Sequence, residues 1–225
     1  MNIFTAIGQF FTNWGAKLAS TFLEDDRYMM LVEGLRNTAI ITLGALCIGI
    51  VIGALVAIIK YCGEGNPAMK PLCVLCDIYT TVIRGIPVVV LLLIFYFVIM
   101  KSASGISGGI AVGIVTFGIN SGAYMAELMR SGIGAVDAGQ MEAARSLGMT
   151  HWQAMRRVVF PQAIKNSLPA IGNEFIINIK DSSVLCVLGV SDLMFMTRSV
   201  AGIYYKGTEC YLIAATVYLF LTYLS

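Results

Sequence analysis

Glu174, Lys180 and Asp181 are ionisable side chains inside a stretch, Ser167 to Val190, that otherwise reads as a membrane span. Charges at such depth are costly and mark ligand or ion paths. Helical spacing puts Glu174, Asn178 and Asp181 on one face, at steps of four and three residues. Asn173 and Lys180 lie on a neighbouring face. Lys180 has no acidic residue three or four positions away, so its partner belongs to another helix, another chain or a ligand. Carboxylates and amides beside a cation offer acceptors for an ammonium and donors for a carboxylate, which is what a zwitterion needs. Asn120, Ser121 and Tyr124 form a second polar group in another apolar stretch. For all of these a bracing role stays open: Glu174 as a tie within the bundle, Lys180 and Asp181 as a pair near a kink at Ser182-Ser183, and the polar residues as hydrogen bonds between helices.

No residue set for catalysis accompanies them. His151 is the only histidine, which removes most metal and histidine-based schemes. Cys73 and Cys76 form a C-x-x-C with no second pair or nearby histidine, so the six cysteines read as reduced, small apolar residues. There is no nucleophile elbow, phosphate-binding loop or H-E-x-x-H. The expectation is a chain that is not an enzyme, binds no cofactor or metal and cannot hydrolyse ATP unaided.

Composition sets the class. The chain is 58% hydrophobic and 12% charged, half the charge usual for a soluble domain. A net charge of +2 is too small to suggest nucleic acid. Five spans are expected, at about Ala39–Ile59, Pro87–Met100, Gly109–Ala126, Ser167–Val190 and Cys210–Leu224. Along the first, Ala45, Gly49, Gly53 and Ala57 recur at four-residue steps and would let another helix approach closely. Pro71 to Ile83, with Asp77 and Thr80, reads as an elbow helix broken by Arg84-Gly85-Ile86-Pro87. Arg84 reads as an anchor to headgroups or a helix end. Residues 1–37 form a separate leading segment without the basic start of a signal peptide. In it Ile3, Ile7, Phe10, Trp14 and Leu18 repeat as an amphipathic helix. Residues 38–225 are the membrane domain.

Basic residues set the orientation. With the amino terminus outside and the carboxyl terminus inside, the loop of about 130–166, with five basic residues, lies in the cytoplasm. Within it Asp137 and Gln140 read as a capping box, Gly148 as a left-handed helix stop, and Thr150 with Gln153 as a second capping box. Pro161 would end the second helix. A DNA-reading helix-turn-helix, with Arg156 and Arg157 on its second helix, is excluded by the flanking spans.

The spacing Glu142-Ala143-Ala144, three residues, Gly148, nine residues, then Val158, Phe160 and Pro161 resembles the EAA loop of ATP-binding cassette importers. Val158 and Phe160 stand where that pattern prefers Ile and Leu. Further stretches resemble the permeases for polar amino acids: Glu33-Gly34-Leu35 with Asn37-Thr38, Arg84-Gly85-Ile86-Pro87, Asn120-Ser121-Gly122-Ala123-Tyr124 with Glu127, and Gly172-Asn173-Glu174-Phe175 with Lys180-Asp181-Ser182-Ser183. The family's basic tail beyond the fifth span has no counterpart before Ser225. The resemblance implies an all-α membrane protein of the type I ABC importer permease fold, with five transmembrane helices and a cytoplasmic coupling helix, in a bacterial inner membrane. It implies a cytoplasmic ATPase dimer that binds ATP and Mg, a second permease chain, identical or not, and an extracytoplasmic amino-acid-binding protein. Glu142, Ala143, Ala144, Gly148 and Pro161 would couple to the ATPase. Glu174, Asn178, Asp181, Asn120, Ser121 and Tyr124 would meet a polar amino acid. An ATP-independent carrier or channel is the alternative.

Overall fold

A computed structural model describes residues 26–101 and 105–225, with Thr12, Gly15, Ser20 and Thr21. The amphipathic stretch expected from Ile3 to Leu18 lies outside the described residues. The described part is helical, without strands. Helix α1, Tyr28–Gly63, starts well ahead of the expected Ala39. Helix α2, Lys70–Gly85, follows a 3-10 turn at Pro67–Met69. Helix α3, Val88–Ile94, runs on as a π-turn at Phe95–Ile99. Helix α4 is Gly105–Gly134. The short helices α5, Ala138–Ser146, and α6, His151–Ala154, lie in the expected loop. Helix α7, Phe160–Asp181, ends in a 3-10 turn at Ser182–Leu188. Helices α8, Leu193–Tyr204, and α9, Gly207–Leu224, complete the described chain.

Three helices, α1, α4 and α9, are long and apolar enough to cross a bilayer unbroken; the total reaches five if each of two bent pairs is one span. One bent pair is Pro67–Gly85 with Val88–Ile99, at 107°. The bend falls at Ile86-Pro87, where the residue before a proline is pushed out of the helical region. The other pair is His151–Leu188 with Leu193–Tyr204, at 49°. Hydropathy alone does not announce α8. It exists because Asp192 caps it, accepting from Met194 N at 3.1 Å and Phe195 N at 3.0 Å.

The largest helix contact is between α1 and α4. Ala45, Gly49, Gly53 and Ala57 are all buried there. A Cβ on Gly53 would lie 2.6 Å from Met125 Cβ, and one on Gly122 would lie 2.9 Å from Ile52 Cβ. Only glycine permits backbones this close. Around this seam Ile41, Ala45, Leu92, Val112, Phe117 and Leu185 form the main apolar core. At the far end of α1, Asn37 Nδ2 donates to Ser191 O at 2.7 Å, and Leu193 N donates to Thr38 Oγ1 at 3.2 Å. Those bonds fasten the α7–α8 link onto α1 and give the Asn37-Thr38 pair a structural task.

Replacing Gly53 by leucine should overpack the seam by about 1–3 kcal/mol. The thermal midpoint of the solubilised protein should then fall by several degrees. Gly202→Ala, inside α8 where a methyl meets nothing within 4 Å, should leave the midpoint level or raise it slightly.

Candidate functional site

The bend between α2 and α3 brings Arg84-Gly85-Ile86-Pro87 against α4 and α7. Together they enclose a cavity of about 460 Å³ whose wall includes Arg84, Asn120, Tyr124, Glu174, Ile177 and Asp181. Four of the six residues expected to meet a ligand therefore face one space. Glu174 is 5% exposed, so its carboxylate is nearly enclosed. Asp181 is half-buried at the last position of α7, immediately before the helix tightens at Ser182.

Ser121 and Asn178 do not line that cavity. Both are fully buried, and Ser121 Oγ donates to Asn178 Oδ1 at 2.9 Å, tying α4 to α7. Asn178 Nδ2 is buried without a hydrogen-bond partner among the described residues. Lys180 is exposed and off the wall. The cation of the cavity is instead Arg84. Its Cζ lies 5.1 Å from the centre of the Tyr124 ring, a cation–π distance. Arg84 sits in the last turn of α2, as the helix-end reading has it, and it also lines this cavity. Its place at the end of an elbow helix was legible in the sequence, but the turn of that helix back onto α4 was not.

A second chamber of about 490 Å³ adjoins the first and shares Arg84, Gly85 and Tyr124 with it. It is lined further by Lys60, Asp77, Thr80, Thr81 and Glu127. Lys60 Nζ bridges Asp77 Oδ1 at 2.8 Å and Glu127 Oε1 at 2.7 Å, joining α1, α2 and α4. Arg130 Nε lies 3.5 Å from Glu127 Oε2. Tyr79 adds a bond from its hydroxyl to Ile119 O at 2.7 Å. The elbow helix is thus held to the α1–α4 pair by polar ties as well as by packing. Nothing local in the sequence singles out Lys60, just past the span expected to end at Ile59, because its partners are far along the chain.

The loop after α4 is built by local rules. Asp137 caps α5 by accepting from Gly139 N at 2.8 Å. Gln140 does not complete a box; its Oε1 accepts from Gln162 Nε2 at 3.3 Å, joining α5 to the start of α7. Gly148 takes φ +84°, the left-handed region. Met149 N donates to Ala144 O at 3.2 Å and Gly148 N to Arg145 O at 3.0 Å, the two bonds of a Schellman stop. Thr150 and Gln153 make the reciprocal box, at 2.9 and 3.3 Å. Ala144 is buried, whereas Glu142, Ala143, Arg145 and Leu147 face outward.

Pro161 does not end the second helix. A π-turn at Met155–Val159 follows α6, and Pro161 falls in the first turn of α7, so the helical path continues through it. The wider turn changes the bonding register just before a residue that has no N–H to donate. One helical path therefore runs from His151 to Leu188, past Glu174 and Asp181.

The bundle superposes on a solved structure described as an amino acid ABC transporter with histidines. The TM-score is 0.80 and the identity 41%, over 90% of this chain and 92% of the other. The fold is that of the type I ABC importer permease. Residues 49–225 match the family of binding-protein-dependent transport system inner membrane components, and the chain belongs to that family. It is 36% identical to the probable glutamine ABC transporter permease protein GlnM of Bacillus subtilis, over 88% of each chain. It is 34% identical to the arginine transport system permease protein ArtQ of the same organism, over 84% of each.

Lys60→Met would leave Asp77 and Glu127 facing each other without their shared cation. The cost should be about 1–2 kcal/mol, since Asp77 is more than half exposed. It should appear as a lower thermal midpoint, partly restored by the double change Lys60→Met with Glu127→Gln.

Proposed function

We propose that the chain is the membrane-spanning subunit of an ATP-driven importer of polar L-amino acids and that the 130–166 loop couples it to a cytoplasmic ATPase. It catalyses nothing itself; ATP and Mg bind the ATPase. Two permease chains form the path, an extracytoplasmic binding protein delivers the amino acid, and the amino terminus lies outside with the loop inside. The observation that carries the reading is mechanical. Helix α5 presents Glu142, Ala143, Arg145 and Leu147 outward, is stopped rigidly at Gly148, and leads through α6 and the π-turn into the helix that bears Glu174 and Asp181. A push on α5 has a helical route to the cavity wall. The cavity itself offers two carboxylates and one guanidinium, which suits a zwitterion whose side chain is polar or cationic. Relatives named for glutamine and for arginine support that class. Substrate and nucleotide shift the inward- and outward-open populations only by their differential affinities for the two.

Gly148→Asp places a side chain at a positive φ, and Glu142→Lys reverses the charge on the outward face. Either change should cut binding-protein-stimulated ATP hydrolysis of the reconstituted complex about tenfold, the scale of a typical coupling energy. Unchanged stimulation would contradict the coupling role. In the same preparation Glu174→Ala should lower uptake about tenfold, as loss of a charged hydrogen bond would. Normal uptake would remove Glu174 from the path.

A further inference from the structure

Two helical stripes face each other across the paired chambers. On α4 the stripe is Asn120, Tyr124 and Glu127, at steps of four and three. On α2 it is Arg84, Thr81, Thr80 and Asp77, covering the same rise in the other direction along its sequence. Arg84 and Tyr124 stand at the junction and line both spaces. From that junction the first chamber reaches Glu174 and Asp181. The second lies one turn of α4 nearer Gly134, where the 137–161 loop begins.

Charge separates the roles of the cations. Lys60 is held by two carboxylates and its side chain is 13% exposed, so it has little left to offer a ligand. Arg130 approaches the same Glu127. Arg84 has no carboxylate within ion-pair distance among the described residues, and the Tyr124 ring leaves its five N–H donors free. A guanidinium fork matches a carboxylate better than any other side chain does.

We propose that Arg84 binds the α-carboxylate of the transported amino acid and serves two chambers in turn, the second being a release subsite toward the loop, where Asp77 and Thr81 receive the ammonium group. The inference rests on the transport reading above and adds to it a residue and a second stopping place. In the first chamber Glu174 and Asp181 hold the rest of the zwitterion. Because Arg84 borders both spaces, the carboxylate keeps its partner as the molecule passes Tyr124. Asp77 is already paired with Lys60 but is more than half exposed, so its second oxygen remains available.

The test uses the whole complex, permease with its ATPase and binding protein, in proteoliposomes. Radiolabelled L-arginine, L-histidine and L-glutamine are the probes for uptake. No ATP-driven uptake of any of them by the wild type would overturn the transport reading and this inference together. For the amino acid that is taken up, equilibrium dialysis against the permease–ATPase assembly in nanodiscs compares it with the same molecule lacking its carboxylate (agmatine, histamine or 4-aminobutanamide). The wild type should prefer the amino acid by about tenfold, the scale of a charge-assisted bond. Arg84→Ala should erase the preference and Arg84→Lys restore part of it; a preference that survives Arg84→Ala overturns the assignment. A loss of packing alone would weaken both ligands equally, and that result also overturns it. Asp77→Asn and Thr81→Val should slow uptake at saturation about fivefold, one net hydrogen bond, with the dialysis affinity unchanged. Unaltered rates would make the second chamber a mere vestibule, and affinity falling with rate would make the two chambers one site; either outcome overturns the release subsite.

Discussion

Lipid gives α1 and α4 no hydrophobic gain for meeting, so their contact must come from close packing. Gly49 and Gly53 of α1 lie against Ser121 and Met125 of α4, and Gly118 and Gly122 of α4 lie against Ile48 and Ile52 of α1. Each glycine removes the Cβ that would hold the backbones apart. The polar geometry depends on this seam. It puts Lys60 within reach of both Glu127 on its neighbour and Asp77 on the elbow helix. It leaves a neighbouring face of α4 free for α7, where Ser121, at the edge of the seam, meets Asn178 and the cavity opens between Tyr124 and Glu174.

The second constraint is continuity. A proline in a helix interior removes a donor and clashes with the preceding turn, at about 3 kcal/mol or more. Here a π-turn precedes Pro161, so the chain leaves the loop without an interruption in the helix. Trp152 packs edge-on against Phe160 at 6.4 Å, bracing the two sides of that turn. Gln162 reaches back to Gln140 and to Val158 O. The helical path from the loop to the charged residues is therefore continuous at Pro161, and its one remaining weak turn is at Pro169, inside α7.

What could be read in the sequence was what local rules decide. The caps at Asp137 and Thr150, the glycine stop at Gly148, the small-residue stripe from Ala45 to Ala57 and the break at Ile86-Pro87 each depend on a few neighbouring residues, and each is present. Of the face expected to carry Glu174, Asn178 and Asp181, Glu174 and Asp181 lie in the cavity wall, while Asn178 turns to Ser121. What depends on distant partners was not legible. The contact of Arg84 with Tyr124 depends on the bend, and the place of Lys60 between two carboxylates depends on the seam. Pro161 looked like a stop because a π-turn leaves no mark in hydropathy or propensity. Helix α8 escaped because its start is fixed by the side chain of Asp192 and by bonds to α1.

If a nucleotide motor, rather than an ion gradient, moves the bundle, ATP alone must drive uptake. The direct measurement is accumulation of a radiolabelled polar amino acid by proteoliposomes holding the full complex and its binding protein. ATP is supplied on the ATPase side, and the ion composition is equal across the membrane. The expected result is accumulation against the substrate's own gradient, abolished by a non-hydrolysable nucleotide. Uptake that needs a proton or sodium gradient and proceeds without ATP would contradict it.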